Sequence, residues 1–118
     1  MIKFPLLLNF LVECTVGCIM IFAPQLFHAN ITPELVALSR TFGVAALMIG
    51  LITAKLFFSD DSPQLRLGLL VVFAYHTGIA VVQLLHPMQG MNPMVAPIFH
   101  GVLALWGAAG WLLLRRWY

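Results

Sequence analysis

The sequence predicts an all-α integral membrane protein, an up-down bundle of four spanning helices with both termini on the cytoplasmic side. Three observations lead there. The 118 residues are 62% hydrophobic and only 8% charged, with a mean hydropathy of +1.00, whereas a soluble domain carries about 25% charged residues. Four apolar runs each reach the roughly 20 residues needed to cross a bilayer. Apart from Arg40, the Lys and Arg residues all fall on one side of those runs.

The runs cover about 4–23, 33–57, 63–86 and 93–114, and the chain 1–118 forms a single transmembrane domain. The first run follows Lys3. Glu13 interrupts its apolar stretch, unlike the core of a cleavable signal, so the run is expected to be a retained helix. Pro24 stands at its end. The other three runs share a start signal, "TPEL" at Thr32, "SPQL" at Ser62 and "NPMV" at Asn92. A capping side chain followed by proline suits a helix start, because the N–H that proline lacks has no partner there anyway. Pro87 stands just past the third run. Pro97 falls near the first turn of the fourth and is expected to bend it. The connections are too short for a soluble domain and make consecutive helices antiparallel neighbours.

Lys3, Lys55, Arg66, Arg115 and Arg116 share one side, and the loops at about 24–32 and 87–92 contain no Lys or Arg. The positive-inside rule makes the first side cytoplasmic, so the expected location is a bacterial inner membrane with lipid as the first partner. Trp117 and Tyr118 sit where interfacial aromatics belong. The net charge of +2 is too small and scattered for nucleic acid. Cys14 and Cys18 are too few and too deep for a disulfide framework or a zinc site and are expected to be small packing residues. The sequon "NIT" is followed by Pro33 and carries no weight. Met88, Met91 and Met94, with His86, serve as interfacial apolar filler. Asp60 and Asp61 form a solvated turn.

Each run contributes one ionisable residue to about the same depth. Counted from the outer ends, Glu13 and His76 lie about ten residues in, roughly 15 Å, and Arg40 and His100 about seven, roughly 10 Å. Polar and small residues share stripes at helical spacing: Asn9, Glu13, Gly17 and Met20; Arg40, Gly43, Leu47, Gly50 and Ala54; Phe73, His76, Ala80 and Gln83; His100, Ala104, Gly107 and Trp111. Small residues let membrane helices approach, and polar ones find partners inside a bundle. Glu13 is therefore expected to pair with Arg40. A Glu–Arg pair alone could simply fix helix register. Two histidines at matched depth and Gln83 make a larger polar group than one ion pair requires, and intramembrane ionisable residues mark functional sites.

The expected site is thus Glu13, Arg40, His76, Gln83 and His100, open to the outer face, with no catalytic residue and no metal ligand assigned. Arg40 would hold an anionic or carbonyl group, Glu13 would balance it, and the histidines would exchange protons. A quinone head group or a small organic anion fits that chemistry, for binding or transport. The runner-up is a haem ligated by His76 and His100. A third reading is a ligand-free scaffold that assembles with its own copies or with another membrane protein.

"IFAPQLF" at 21–27 and "SRTFGVAALMIGL" at 39–51 resemble elements of the DoxX-like small four-helix bacterial membrane proteins. These are a proline soon after helix one, and an Arg followed by aromatic-Gly and a small-residue helix. The resemblance implies the four-helix fold and an interior-facing Arg40. Small multidrug exporters share the length, the four helices and a helix-one glutamate. In this chain Glu13 has a candidate counter-ion, and helix three lacks that family's aromatic-glycine pattern.

Overall fold

The computed structural model describes residues 2–28, 30–86 and 94–115. Among them it is all-helical: α1 Phe4–Phe22, a 3₁₀ turn Pro24–Leu26, α2 Pro33–Phe57, α3 Ser62–Leu85 and α4 Val95–Arg115. All four helices are long and apolar enough to cross a membrane. Pro87, the Asn92–Pro93 start, Met88, Met91, Arg116, Trp117 and Tyr118 lie outside the described residues.

The start signals differ in how they act. Thr32 caps α2, its Oγ1 accepting from Leu35 N–H at 3.3 Å. Glu34 in the first turn and Lys55 in the last complement the helix dipole. At α3 the cap moves one residue earlier than expected. Asp61 is the N-cap and Ser62 already helical, which puts Pro63 in the second position. Ser59 takes the local capping chemistry instead, its Oγ accepting from Asp61 N–H at 3.1 Å. Pro97 sits in the first turn of α4, where its missing N–H costs no helical bond.

The chain folds as two helical hairpins, α1 with α2 and α3 with α4, laid together. Across the seam α1 meets both α3 and α4, and α3 meets α2, whereas α2 and α4 stay apart. The bundle is therefore a flattened rhombus, 50 × 25 × 17 Å, with α1 and α3 on its short diagonal.

Glycines set the register of each hairpin. A Cβ on Gly17 would lie 2.7 Å from the Gly43 carbonyl oxygen, and one on Gly43 2.8 Å from that of Gly17. The two backbones touch there. A Cβ on Gly50 would lie 2.7 Å from Cys14 Sγ, so Glu13 and Cys14 stand beside Gly50. On the other hairpin, a Cβ on Gly107 would meet the backbone of Leu69 and Phe73 at 3.0 Å.

The apolar core, Leu6, Leu65, Leu69, Val72 and Leu114, fills the end of the bundle that holds the α1 start and the α2–α3 turn. Lys3 reaches Asp60 at 2.9 Å at that end. Only 22–33% of each helix's apolar window is buried. Large apolar side chains such as Phe42, Met48, Leu67, Val82, Leu105 and Leu112 cover the outside.

Candidate functional site

The polar residues of the interior converge on His76, which is fully buried on α3. Its Nδ1 lies 2.7 Å from Nδ1 of His100 on α4, and its Nε2 lies 2.5 Å from Asn9 Oδ1 on α1. Asn9 Nδ2 donates to Thr53 Oγ1 on α2 at 3.0 Å. Thr53 gives its own proton to the carbonyls of Gly50 at 2.9 Å and Ile49 at 3.1 Å. One hydrogen-bonded line therefore runs through all four helices.

That line fixes the protons. Carbonyl oxygens only accept, so Thr53 is a donor to them and an acceptor from Asn9. This orients the Asn9 amide with Oδ1 toward His76, and His76 must carry its proton on Nε2. Its Nδ1 is then an acceptor, and His100 donates from Nδ1. The tautomers follow from partners that have no choice of role.

Glu13 adds a carboxyl group. It is 2% exposed, accepts from the Tyr75 hydroxyl at Oε2 at 3.0 Å, and places Oε1 3.9 Å from His76 Nε2. Donor atoms of Glu13, His76 and His100 all lie within 4.8 Å of one another. The two imidazoles stack with ring centres 5.0 Å apart, and Tyr75 meets His76 edge-on.

Three of the five expected site residues are therefore together, and two stand elsewhere. Arg40 does not pair with Glu13. It is exposed, and its Nε donates to the Ile21 carbonyl at 3.2 Å. That carbonyl belongs to the last turn of α1, where helical acceptors lack an internal donor. The register explains the miss. Arg40 is level with Ile21, eight residues beyond Glu13 along α1, or roughly 12 Å. Counting depth from level outer ends fails because α2 overshoots the end of α1 there, and His28 folds onto the overhang at 2.9 Å from Ser39. The interior orientation of Arg40 implied by the family resemblance is likewise absent. Gln83 is half-buried, and its Oε1 is buried without a partner among the described residues.

The structure adds Asn9, Thr53 and Tyr75. Asn9 shares the Glu13 stripe, four residues back. Thr53 sits on the stripe that α2 buries, Ser39, Gly43, Ala46, Gly50 and Thr53. Tyr75 had no signal beyond its place next to His76.

A bis-histidine haem does not fit this arrangement. An iron between two imidazoles needs their nitrogens about 4 Å apart with a flat macrocycle between them. Here the rings touch each other, and the α3 and α4 backbones close tightly at Gly107. Compared with known proteins, the chain matches no family model, no curated protein and no solved structure.

Proposed function

We propose that this is an inner-membrane protein that binds a small ligand at Glu13, His76 and His100, with its termini in the cytoplasm. The observation that carries the reading is Glu13. It is a buried carboxyl group within a spanning helix, with no Lys or Arg ion pair among the described residues, bonded to Tyr75, 3.9 Å from His76 and clustered with His100. Buried ionisable groups in a membrane are costly and mark functional sites. With Arg40 on the Ile21 carbonyl, the site has no Lys or Arg among the described residues to hold an organic anion. A quinone head group suits it better. In its hydroquinone form its hydroxyl donates to Nε2 of His100, the imidazole nitrogen left without a proton, and His100 is only half-buried, which leaves an approach at the edge of the cluster. Membership of the DoxX-like group is part of the same proposal and rests on the 21–27 and 39–51 segments.

The test is thermal stability in lipid nanodiscs during titration with a short-chain quinone. The parent is expected to be stabilised, and His100→Ala to stay folded and helical while losing that stabilisation. Equal stabilisation of both, or of neither, defeats the quinone assignment.

A further inference from the structure

We propose that Glu13, His76 and His100 form a binding site for a divalent first-row transition-metal ion, with Asn9 and Tyr75 as positioning residues. The inference rests on the reading of this cluster as a ligand site, and it names a different ligand for it.

Two imidazoles and one carboxylate are a donor set common to zinc and non-haem iron sites. The three donors come from three helices and lie within 4.8 Å of one another. An ion bound at about 2.1 Å to each would hold them about 3.4 Å apart in a tetrahedral arrangement. Reaching that from the observed positions takes a turn of the Glu13 side chain and a slight parting of the two imidazoles. His100 then shifts its proton from Nδ1 to Nε2, and any proton held on Glu13 leaves to solvent as the ion enters.

The surrounding hydrogen bonds at His76 and Glu13 are of the kind such a site uses. Metal-binding histidines donate their other ring N–H to a fixed acceptor, and metal-binding carboxylates are themselves hydrogen-bonded. His76 gives its Nε2 proton to Asn9, and Asn9 is anchored through Thr53 to the α2 backbone. This leaves Nδ1 of His76 for the ion, and Oε1 of Glu13, which now lies 3.9 Å from Nε2, must swing to reach it. Tyr75 holds Oε2 of Glu13, leaving Oε1 free to coordinate.

Charge points the same way. Among the described residues no Lys or Arg forms an ion pair with Glu13. Lys3 is taken by Asp60, Arg40 by Ile21, and Arg66 lies over Trp111. A divalent ion beside one carboxylate and two neutral imidazoles supplies the missing positive charge. Proton conduction is the competing use of such a chain. Along the line to α2 it stops at Asn9, whose amide has no acidic proton to hand on.

The experiment uses the purified full-length protein in detergent, stripped with a chelator and reloaded with Zn²⁺ or Co²⁺. Bound metal is measured after desalting, and Co²⁺ also reports through its visible ligand-field bands. The parent is expected to retain one ion per chain. His100→Ala and Glu13→Gln should lose it. Tyr75→Phe keeps the ring and removes only the bond to Glu13, so its affinity should fall about 10–100-fold with the Co²⁺ bands shifted. His28→Ala and His86→Ala should bind as the parent does. No retained metal in the folded parent overturns the proposal. So does retention that survives both His100→Ala and Glu13→Gln. A parent that takes quinone but no metal defeats the metal site alone, and one that takes neither defeats both readings.

Discussion

Glu13 and Arg40 stand about 12 Å apart along the bundle axis, and each has a partner of its own, Tyr75 and the Ile21 carbonyl. Their substitutions should therefore act independently. In denaturation measurements, Glu13→Gln and Arg40→Gln are expected to add to within about 0.5 kcal/mol in the double variant. A larger coupling would mean that they meet. The threonines give a second contrast at this scale. Thr53→Val keeps the shape but leaves the buried Asn9 amide without its acceptor, for an expected loss of about 1–2 kcal/mol. Thr41 is exposed and bonds only the Ala37 carbonyl of its own helix. Thr41→Val should stay within about 0.5 kcal/mol of the parent. Equal effects would show that the four-helix line contributes nothing. The sequence made Glu13, His76 and His100 visible because ionisable residues in apolar runs stand out. It placed Asn9 on the inward stripe without showing its partner, and it hid Thr53 and Tyr75 because their roles depend on which side of the helix faces inward. Arg40 misled in the same way. Taking the strongest charge on α2 as the inward mark turned the stripe by one residue, to Arg40, Gly43, Leu47, Gly50 and Ala54. The buried stripe keeps Gly43 and Gly50 but passes through Ser39, Ala46 and Thr53 instead.

At the scale of the helices, the "SRTFG" segment has a packing role that its polar residues disguise. Ser39 holds His28, Arg40 holds the end of α1, and Gly43 lets α1 close in on Gly17. Run length and proline caps made the four helices readable. Register was not readable, because it depends on backbone contact at particular glycines. Those glycines can be sorted. Gly17→Ala drives a Cβ into backbone atoms of α2 at 2.7–2.8 Å, with no flexible side chain to yield, and should cost about 1–3 kcal/mol. At Gly78 and Gly101 an added Cβ would meet nothing within 4 Å. Alanine there should be neutral or should stabilise by up to about 1 kcal/mol through helix propensity. Thermal unfolding of the three variants in one detergent checks the order, and a Gly17→Ala variant as stable as Gly78→Ala would refute the close crossing.

For the whole molecule, the flattened bundle buries its polar line and presents hydrocarbon around its girth, the reverse of a soluble domain. Its two ends differ. Lys3, Lys55 and Arg66 belong to the end where α1 and α3 begin and α2 finishes. The opposite end carries the 3₁₀ turn, with Gln25 and Leu26 exposed and no Lys or Arg in the 24–32 segment. If the positive-inside rule governs insertion, the Lys3 end is cytoplasmic and the 3₁₀ turn lies outside. Cysteine accessibility in intact cells tests this, with Cys14 and Cys18 first replaced by serine or alanine. Gln25→Cys is expected to react with an impermeant thiol reagent added outside. Asp60→Cys should react only after the membrane is opened. Asp60 is 99% exposed at its side chain, so a failure to label it in intact cells reports the membrane and not burial in the protein. Losing its surface bridge to Lys3 should cost no more than about 1 kcal/mol, too little to unfold the bundle. The reverse labelling pattern would invert the orientation. Labelling of both sites in sealed cells would show that the chain does not cross the bilayer as four helices.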